Sequence, residues 1–162
     1  MQDIRSILIL LLLLPAISLG QTIHIKKDEI AYEGKINVSG DSYNRAKSLI
    51  LNFADPDSTK EDKDDKKFSS VVKMKLPSEY HLQKDLSYKL LLHVTAGQIE
   101  YEIKDVQLTL YERGEKPKVL SSEQLLKGMD ESGNTARDTE KMLDDIDMYI
   151  QQFLARLKTF GF

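Results

Sequence analysis

Three histidines, His24, His81 and His93, are the side chains best suited to proton transfer or metal binding in this chain, and no helical or hairpin spacing joins any two on one ion. Only His93 has a visible partner. A two-residue turn at Gly97-Gln98 would set His93 opposite Glu102, with Thr95 opposite Glu100 beside it, on the polar side of a hairpin. A carboxylate in that position raises an imidazole pKa and could make an acid/base pair of a hydrolase; the same pairing also serves as an ordinary cross-strand contact. Asp144, Asp145 and Asp147 cluster near Glu140 and Lys141, where helical spacing turns them mainly to solvent rather than around a cation. The segment from Asp55 to Lys67 carries six acids, but a calcium loop started at Asp55 would place Lys60 where glycine belongs and Lys66 where the bidentate glutamate belongs. With no cysteine there is no thiolate ligand or thiol nucleophile. No serine, histidine and acid group as a nucleophile set, and no glycine-rich phosphate loop is present. The residues therefore name no catalytic, cofactor-binding or metal site, and the reading is of a protein that is not an enzyme.

The elements that would carry these residues are legible from periodicity. Ile30, Tyr32, Ile36 and Val38 alternate with polar residues from Glu29 to Val38, a half-buried strand. Ser39-Gly40-Asp41 supplies capping chemistry for a helix on which Tyr43, Ala46, Leu49, Ile50 and Phe53 recur at helical spacing. Asp55 to Lys67 reads as a solvated loop. Phe68, Val72, Met74 and Leu76 share one strand face, closed by Pro77. From Leu86 to Ala96 the even positions are apolar; with the turn at Gly97-Gln98, Leu92 faces Ile103 and Val94 faces Tyr101, so one apolar face continues across the turn. After Ile103 the apolar phase moves to Val106, Leu108 and Leu110, which predicts a β-bulge or break near Lys104-Asp105. Val119-Leu120 is a short edge segment. Ser121 and Gln124 have capping-box spacing for a short helix ending at Gly128, and Thr135 with Asp138 opens a long one to about Lys158. Its stripe is Met142, Leu143, Ile146, Tyr149, Ile150, Phe153, Leu154 and Leu157.

The beginning of the chain has a different character. Ile7 to Leu14 is an unbroken apolar run after Arg5, Pro15 ends it, and Ser18-Leu19-Gly20 offers small residues where a signal peptidase cuts. The expectation is a signal peptide over residues 1–20, cleaved before Gln21, and one α+β domain over 21–162. The run is too short for a stable membrane anchor. No cysteine follows it to carry a lipid. Removing residues 1–20 takes away one acid and one base, so the net charge stays at −3. That near balance is not the strongly basic surface of a nucleic-acid binder. The polar sheet face would carry Lys73, Lys75, Lys89, His93, Glu100, Glu102 and Lys104, of mixed sign.

The stretches Ile30-Ala31-Tyr32-Glu33-Gly34-Lys35-Ile36, Ser42-Tyr43-Asn44-Arg45-Ala46-Lys47, the hairpin Tyr88 to Tyr101 and Ile103-Lys104-Asp105-Val106 resemble the exported bacterial domain of unknown function 4468, common in Bacteroidetes, which has a TATA-binding-protein-like fold. The likeness covers Glu29 to about Tyr111, and the last helix by position only. It implies an envelope-facing location, periplasmic or extracellular, and supplies no activity, cofactor or catalytic residue. Together with the periodicities it sets the expected architecture: an antiparallel sheet of four to five strands, covered on one face by an early helix and a long C-terminal helix. The expected role is noncatalytic binding of a protein, peptide or surface component through the sheet face or edge. The alternative is a carrier of a small apolar ligand, with a cavity between sheet and C-terminal helix near Tyr149, Phe153, Leu90 and Leu92.

Overall fold

A computed structural model describes residues 24–26, 29–79, 82–130 and 132–160; the expected signal peptide and His81 lie outside the described residues. In chain order the elements are β1 (His24–Lys26), β2 (Glu29–Asn37), α1 (Ser42–Phe53), a 3-10 turn (Pro56–Ser58), β3 (Lys60–Asp62), β4 (Lys67–Glu79), β5 (Leu82–Thr95), β6 (Gln98–Tyr111), β7 (Lys118–Ser121), α2 (Ser122–Met129) and α3 (Asn134–Phe160). The strands form one seven-stranded sheet in the order β1-β2-β6-β5-β4-β3, with β7 also paired to β6; every pairing is antiparallel. The fold is the expected α+β arrangement. Its four long strands are those that alternation marks, and the other three are short.

One side of β2, β4, β5 and β6 is oily because strand side chains alternate. Tyr32, Ile36, Phe68, Val72, Leu86, Tyr88, Leu90, Leu92, Ile99, Tyr101 and Ile103 are all buried in one cluster with Ala46, Leu49 and Ile50 of α1 and Ile146, Ile150, Phe153, Leu154 and Leu157 of α3. The two helices thus cover the same face. At about 1.5 Å per residue, α3 is about 40 Å long, enough to run across the sheet. Within this layer the Phe153 ring meets Phe53 and Tyr88 edge-on, at centroid separations of 5.7 and 5.5 Å. Gly34 sits opposite Tyr101 in the β2–β6 ladder. A Cβ there would fall 2.3 Å from the Tyr101 hydroxyl, so the missing side chain is what lets that ring lie over the strand.

The expected bulge is present. Ser87 pairs with Gln107 and Lys89 with Lys104, leaving two residues of β6 opposite Tyr88 alone, and Asp105 takes up the bend at φ 54°. The bulge also divides the outer edge of β6: Gln98 to Ile103 pair with β2, and Gln107 to Leu110 with β7. Helix starts follow the capping rules in two cases. Asp41 accepts from the backbone N–H groups of Tyr43 and Asn44, and Ser121 with Gln124 forms the reciprocal box. The third start differs from expectation. Thr135 lies inside α3 rather than capping it, and its carbonyl accepts from the Thr139 hydroxyl at 2.8 Å. The turn comes from Gly133 at φ 78°, whose carbonyl accepts from the Arg137 N–H.

Two further expectations are corrected. The Asp55–Lys67 segment is not simply a solvated loop, since it holds the 3-10 turn and β3, which pairs with β4. Hydroxyls do the work that apolar residues usually do: Ser58 and Thr59 both reach Ser70, at 2.8 and 2.9 Å, and Ser58 accepts from the Val71 N–H. The β4 strand also runs past Pro77 to Glu79, with a register irregularity after Leu76.

Candidate functional site

The face of the sheet that α1 and α3 leave uncovered carries two continuous side-chain rows. Strand register fixes them. The first runs Lys35, Glu100, His93, Lys67, Asp62 across β2, β6, β5, β4 and β3, and the second runs Glu33, Glu102, Leu91, Ser69, Lys60 across the same strands. Together they line a groove of about 880 Å³. Charges alternate along the first row and are tied laterally: Lys35 Nζ is 2.8 Å from one Glu100 oxygen, and His93 Nδ1 is 3.4 Å from the other. Lys35 first, then His93, holds the Glu100 carboxyl below its ordinary value. In the second row, Leu91 is an apolar residue set between Glu102 and Ser69, and Glu102 meets Lys104 at 3.5 Å. The floor of the groove is rigid because Phe68, Leu92 and Tyr101, whose side chains point the other way, are in the core.

The outermost strand of the groove is positioned by the other layer. Glu61 alternates with Lys60 and Asp62 along β3 and therefore faces α1, where it accepts from the Tyr43 hydroxyl at 2.5 Å and from Lys47 at 3.0 Å. These partners hold the Glu61 carboxyl low, and the carboxylate pushes the Tyr43 hydroxyl up to about 12. Lys60 and Asp62 are thereby presented on the groove side.

No protein-family model matches the chain, and no curated protein matches it. Among solved structures it is similar to a TBP-like protein from Parabacteroides distasonis, with a TM-score of 0.64 and 12% identity, over 86% of this chain and 96% of that one. The chain has a TATA-binding-protein-like fold. A family protein of the domain of unknown function 4468 from Bacteroides ovatus is similar too, with a TM-score of 0.53 and 13% identity, over 86% of this chain and 91% of that one. The resemblance seen in the β2–α1 and β5–β6 segments thus holds as a likeness of fold. At these identities it transfers no activity to the TBP-like sheet described above.

Residue by residue, the TBP-like register rearranges the expected site. Thr95 pairs with Gln98, so the turn is Ala96-Gly97 with Gly97 at φ 73°. His93 therefore meets Glu100 rather than Glu102, Glu102 meets Leu91, and Thr95 does not face Glu100. The slip is two residues, an even number, so every side chain keeps its expected face. Ser69 lies one diagonal step from His93 in the groove, but no hydrogen bond joins them. His24 lies on β1, away from these rows. Among the described residues, no three His, Cys, Asp or Glu side chains are arranged to hold a metal ion.

The acids of α3 are not all solvated as expected. Asp145 binds Lys84 at 3.2 Å, and Lys84 is buried on the helix-covered side of β5. Asp147 stands near the Tyr32 hydroxyl, whose pKa is raised by burial first and by that carboxylate second. Leu90, Leu92 and Phe153 are fully packed and belong to the core. A cavity does occur between sheet and helices, but elsewhere, at β2, α2 and α3. Two residues here were overlooked in the sequence although their phase was visible. Lys84 falls on the apolar phase of β5 with Leu86 and Tyr88, and Leu91 falls on its polar phase with Lys89 and His93.

Proposed function

We propose that this chain is an exported, noncatalytic envelope protein that binds a protein or peptide across the open face of its sheet. Export rests on the apolar run Ile7 to Leu14 and the small residues at Ser18 and Gly20. The observation that carries the binding reading is the groove of about 880 Å³, built from two rows of side chains on five strands. Its walls mix Lys35, Lys60 and Lys67 with Glu33, Asp62, Glu100 and Glu102 around one apolar residue, Leu91. A polypeptide can answer such a pattern with alternating charges and one apolar anchor. A nucleic-acid backbone cannot, because four carboxylates repel the phosphates that three lysines would attract. Acyl-transfer chemistry at His93 and Glu100 would need N–H donors for a developing oxyanion, and the N–H groups of interior strands are taken up by the ladders.

A displayed random-peptide library panned against the purified protein tests this. Selected peptides are expected to shift the amide resonances of Lys35, Leu91, His93 and Glu102, and Leu91→Lys is expected to weaken them by about tenfold or more. Peptides whose footprint falls on the helices, or whose affinity ignores Leu91→Lys, would overturn the reading.

A further inference from the structure

The outer edge of β4 is closed along only part of its length. β3 pairs with Lys67 to Ser69. At the next outward position the Ser58 hydroxyl accepts from the Val71 N–H at 2.9 Å, and the Asp55 N–H donates to the Val71 carbonyl at 2.9 Å. Both backbone groups of Val71 therefore point away from β5. A strand repeats this direction at every second residue, so the N–H and C=O groups of Lys73 and Lys75 point the same way. Among the described residues no strand, turn or side chain meets them. Pro77, next in the same phase, has no N–H to offer, and the register shifts after Leu76. Lys73 and Lys75 thus bound a short window of unpaired edge. Their side chains are exposed on the open face, while Met74 between them is half-buried against the core on the covered face. Lys73 Nζ lies 3.5 Å from Asp55, and Asp85 of β5 stands opposite Lys75 in the ladder.

We infer that this window of β4 takes up an extended segment of another protein with the pattern acid, apolar, acid, added as a further strand. The addition is antiparallel, like every other pairing in the sheet. The two acidic residues exchange backbone hydrogen bonds with Lys73 and Lys75, and their carboxylates lie beside the ammonium groups on the open face. The apolar residue between them lies beside Met74. Backbone pairing supplies the contact, and the alternation of side chains supplies its specificity. Charge decides the occupant. A second copy laid antiparallel on this edge would bring lysine against lysine, which is how edge lysines keep like edges apart. An acidic strand meets no such repulsion, and a basic one does. The interaction uses the edge of the sheet rather than the open-face groove and does not depend on what occupies that groove.

The test adds a capped Thr-Glu-Val-Glu-Thr peptide, or its Thr-Lys-Val-Lys-Thr counterpart, to the purified protein and follows amide NMR and hydrogen exchange. Saturable shifts at Lys73, Met74 and Lys75 are expected with the acidic peptide and not with the basic one, at a dissociation constant on the order of 1 mM. At saturation the Lys73 and Lys75 amides should exchange about tenfold more slowly, while that of Met74, which faces β5, is unchanged. N-methylation of the two glutamate amides should abolish the shifts; N-methylation of the valine amide, which faces away from β4, should not. The double variant Lys73→Glu/Lys75→Glu changes exposed side chains only, and it is expected to take the basic peptide in place of the acidic one. Lysines that serve only to keep copies apart would give no binding of either peptide to either protein, and that result would overturn the inference. Binding that survives N-methylation of the glutamates, a preference unchanged by the charge swap, or shifts confined to the open-face groove would overturn it as well. So would concentration-dependent self-association that protects the Lys73 and Lys75 amides, which would give the edge to a second copy.

Discussion

Leu90 and Leu91 are adjacent on β5 and do opposite things. Leu90 is fully buried beneath the helices, in contact with the cluster that α1 and α3 share; Leu91 stands partly exposed in the groove among charged residues. The two faces of the sheet divide the work in the same way. The covered face is nearly all apolar, and its polar exceptions include Lys84, in an ion pair with α3, Ser70, which bonds Ser58 and Thr59, and the buried Tyr32 and Tyr88. The open face holds lateral ion pairs that add little to stability because water screens them. The second face is therefore free to vary in chemistry without loss of the fold.

Truncation at the two leucines gives the largest expected contrast. Leu90→Ala should lower the unfolding free energy by about 2–5 kcal/mol, since it removes buried methyl groups and leaves a cavity. Leu91→Ala should lower it by less than about 1 kcal/mol. Urea titrations monitored by circular dichroism would measure both. Similar losses for the two would mean that the open face is covered in solution, and that the groove is part of a core.

A smaller effect is expected at a charged contact that crosses from sheet to α3. Asp145→Ala strands the Lys84 ammonium, which is 6% exposed. Because Asp145 is itself partly open to solvent, the loss should be about 2–3 kcal/mol rather than the upper end for a broken buried pair. Replacing both, Lys84→Met with Asp145→Leu, should return stability to within about 1 kcal/mol of the original. If the double replacement is as unstable as Asp145→Ala, the pair is holding α3 in register by more than charge. The same urea titrations decide between these outcomes.

How much of this could be read beforehand follows from the period of each element. Alternation gave Tyr32, Phe68, Leu90 and Ile103 their inward direction, and the change of phase after Ile103 exposed the Asp105 bulge. Both signals are local and survive a two-residue error in the turn. Pairing across strands is not local. Gly97 fits either central position of a two-residue turn on composition alone, and only its positive φ places it second, which moved the partner of His93 from Glu102 to Glu100. The groove is invisible for the same reason: its rows join Asp62 to Lys35 over five strands, and β3 lies in a segment whose charge reads as a loop. Its order comes from Ser58, Thr59 and Ser70, whose hydroxyls carry no periodic signature. The cavity at β2, α2 and α3 joins three elements distant in sequence, so no local pattern announces it.

The smallest expected effect concerns β3, where the two faces meet. Glu61 points to the helix side and is held below its ordinary pKa by the Tyr43 hydroxyl first and Lys47 second, while its neighbours Lys60 and Asp62 face the groove. A depressed carboxylate stabilises the folded state above its unfolded value, near 4.5, and that contribution fades as pH falls through the lower, folded value. Tyr43 runs the other way: its pKa, raised from 10.0 to about 12, contributes below 10.0 and is lost as pH rises through about 12. Tyr43→Phe should therefore raise the Glu61 midpoint toward 4.5, read from its side-chain carboxyl resonance, and Glu61→Gln should bring the phenolate absorbance step of Tyr43 down toward 10.0. In the same variants the amides of Lys60 and Asp62 should shift, because the strand that presents them has lost its tie to α1. Unmoved midpoints would mean that β3 is not docked on α1 in solution, and the groove would then end at β4, without the Asp62 end of its charge-alternating row.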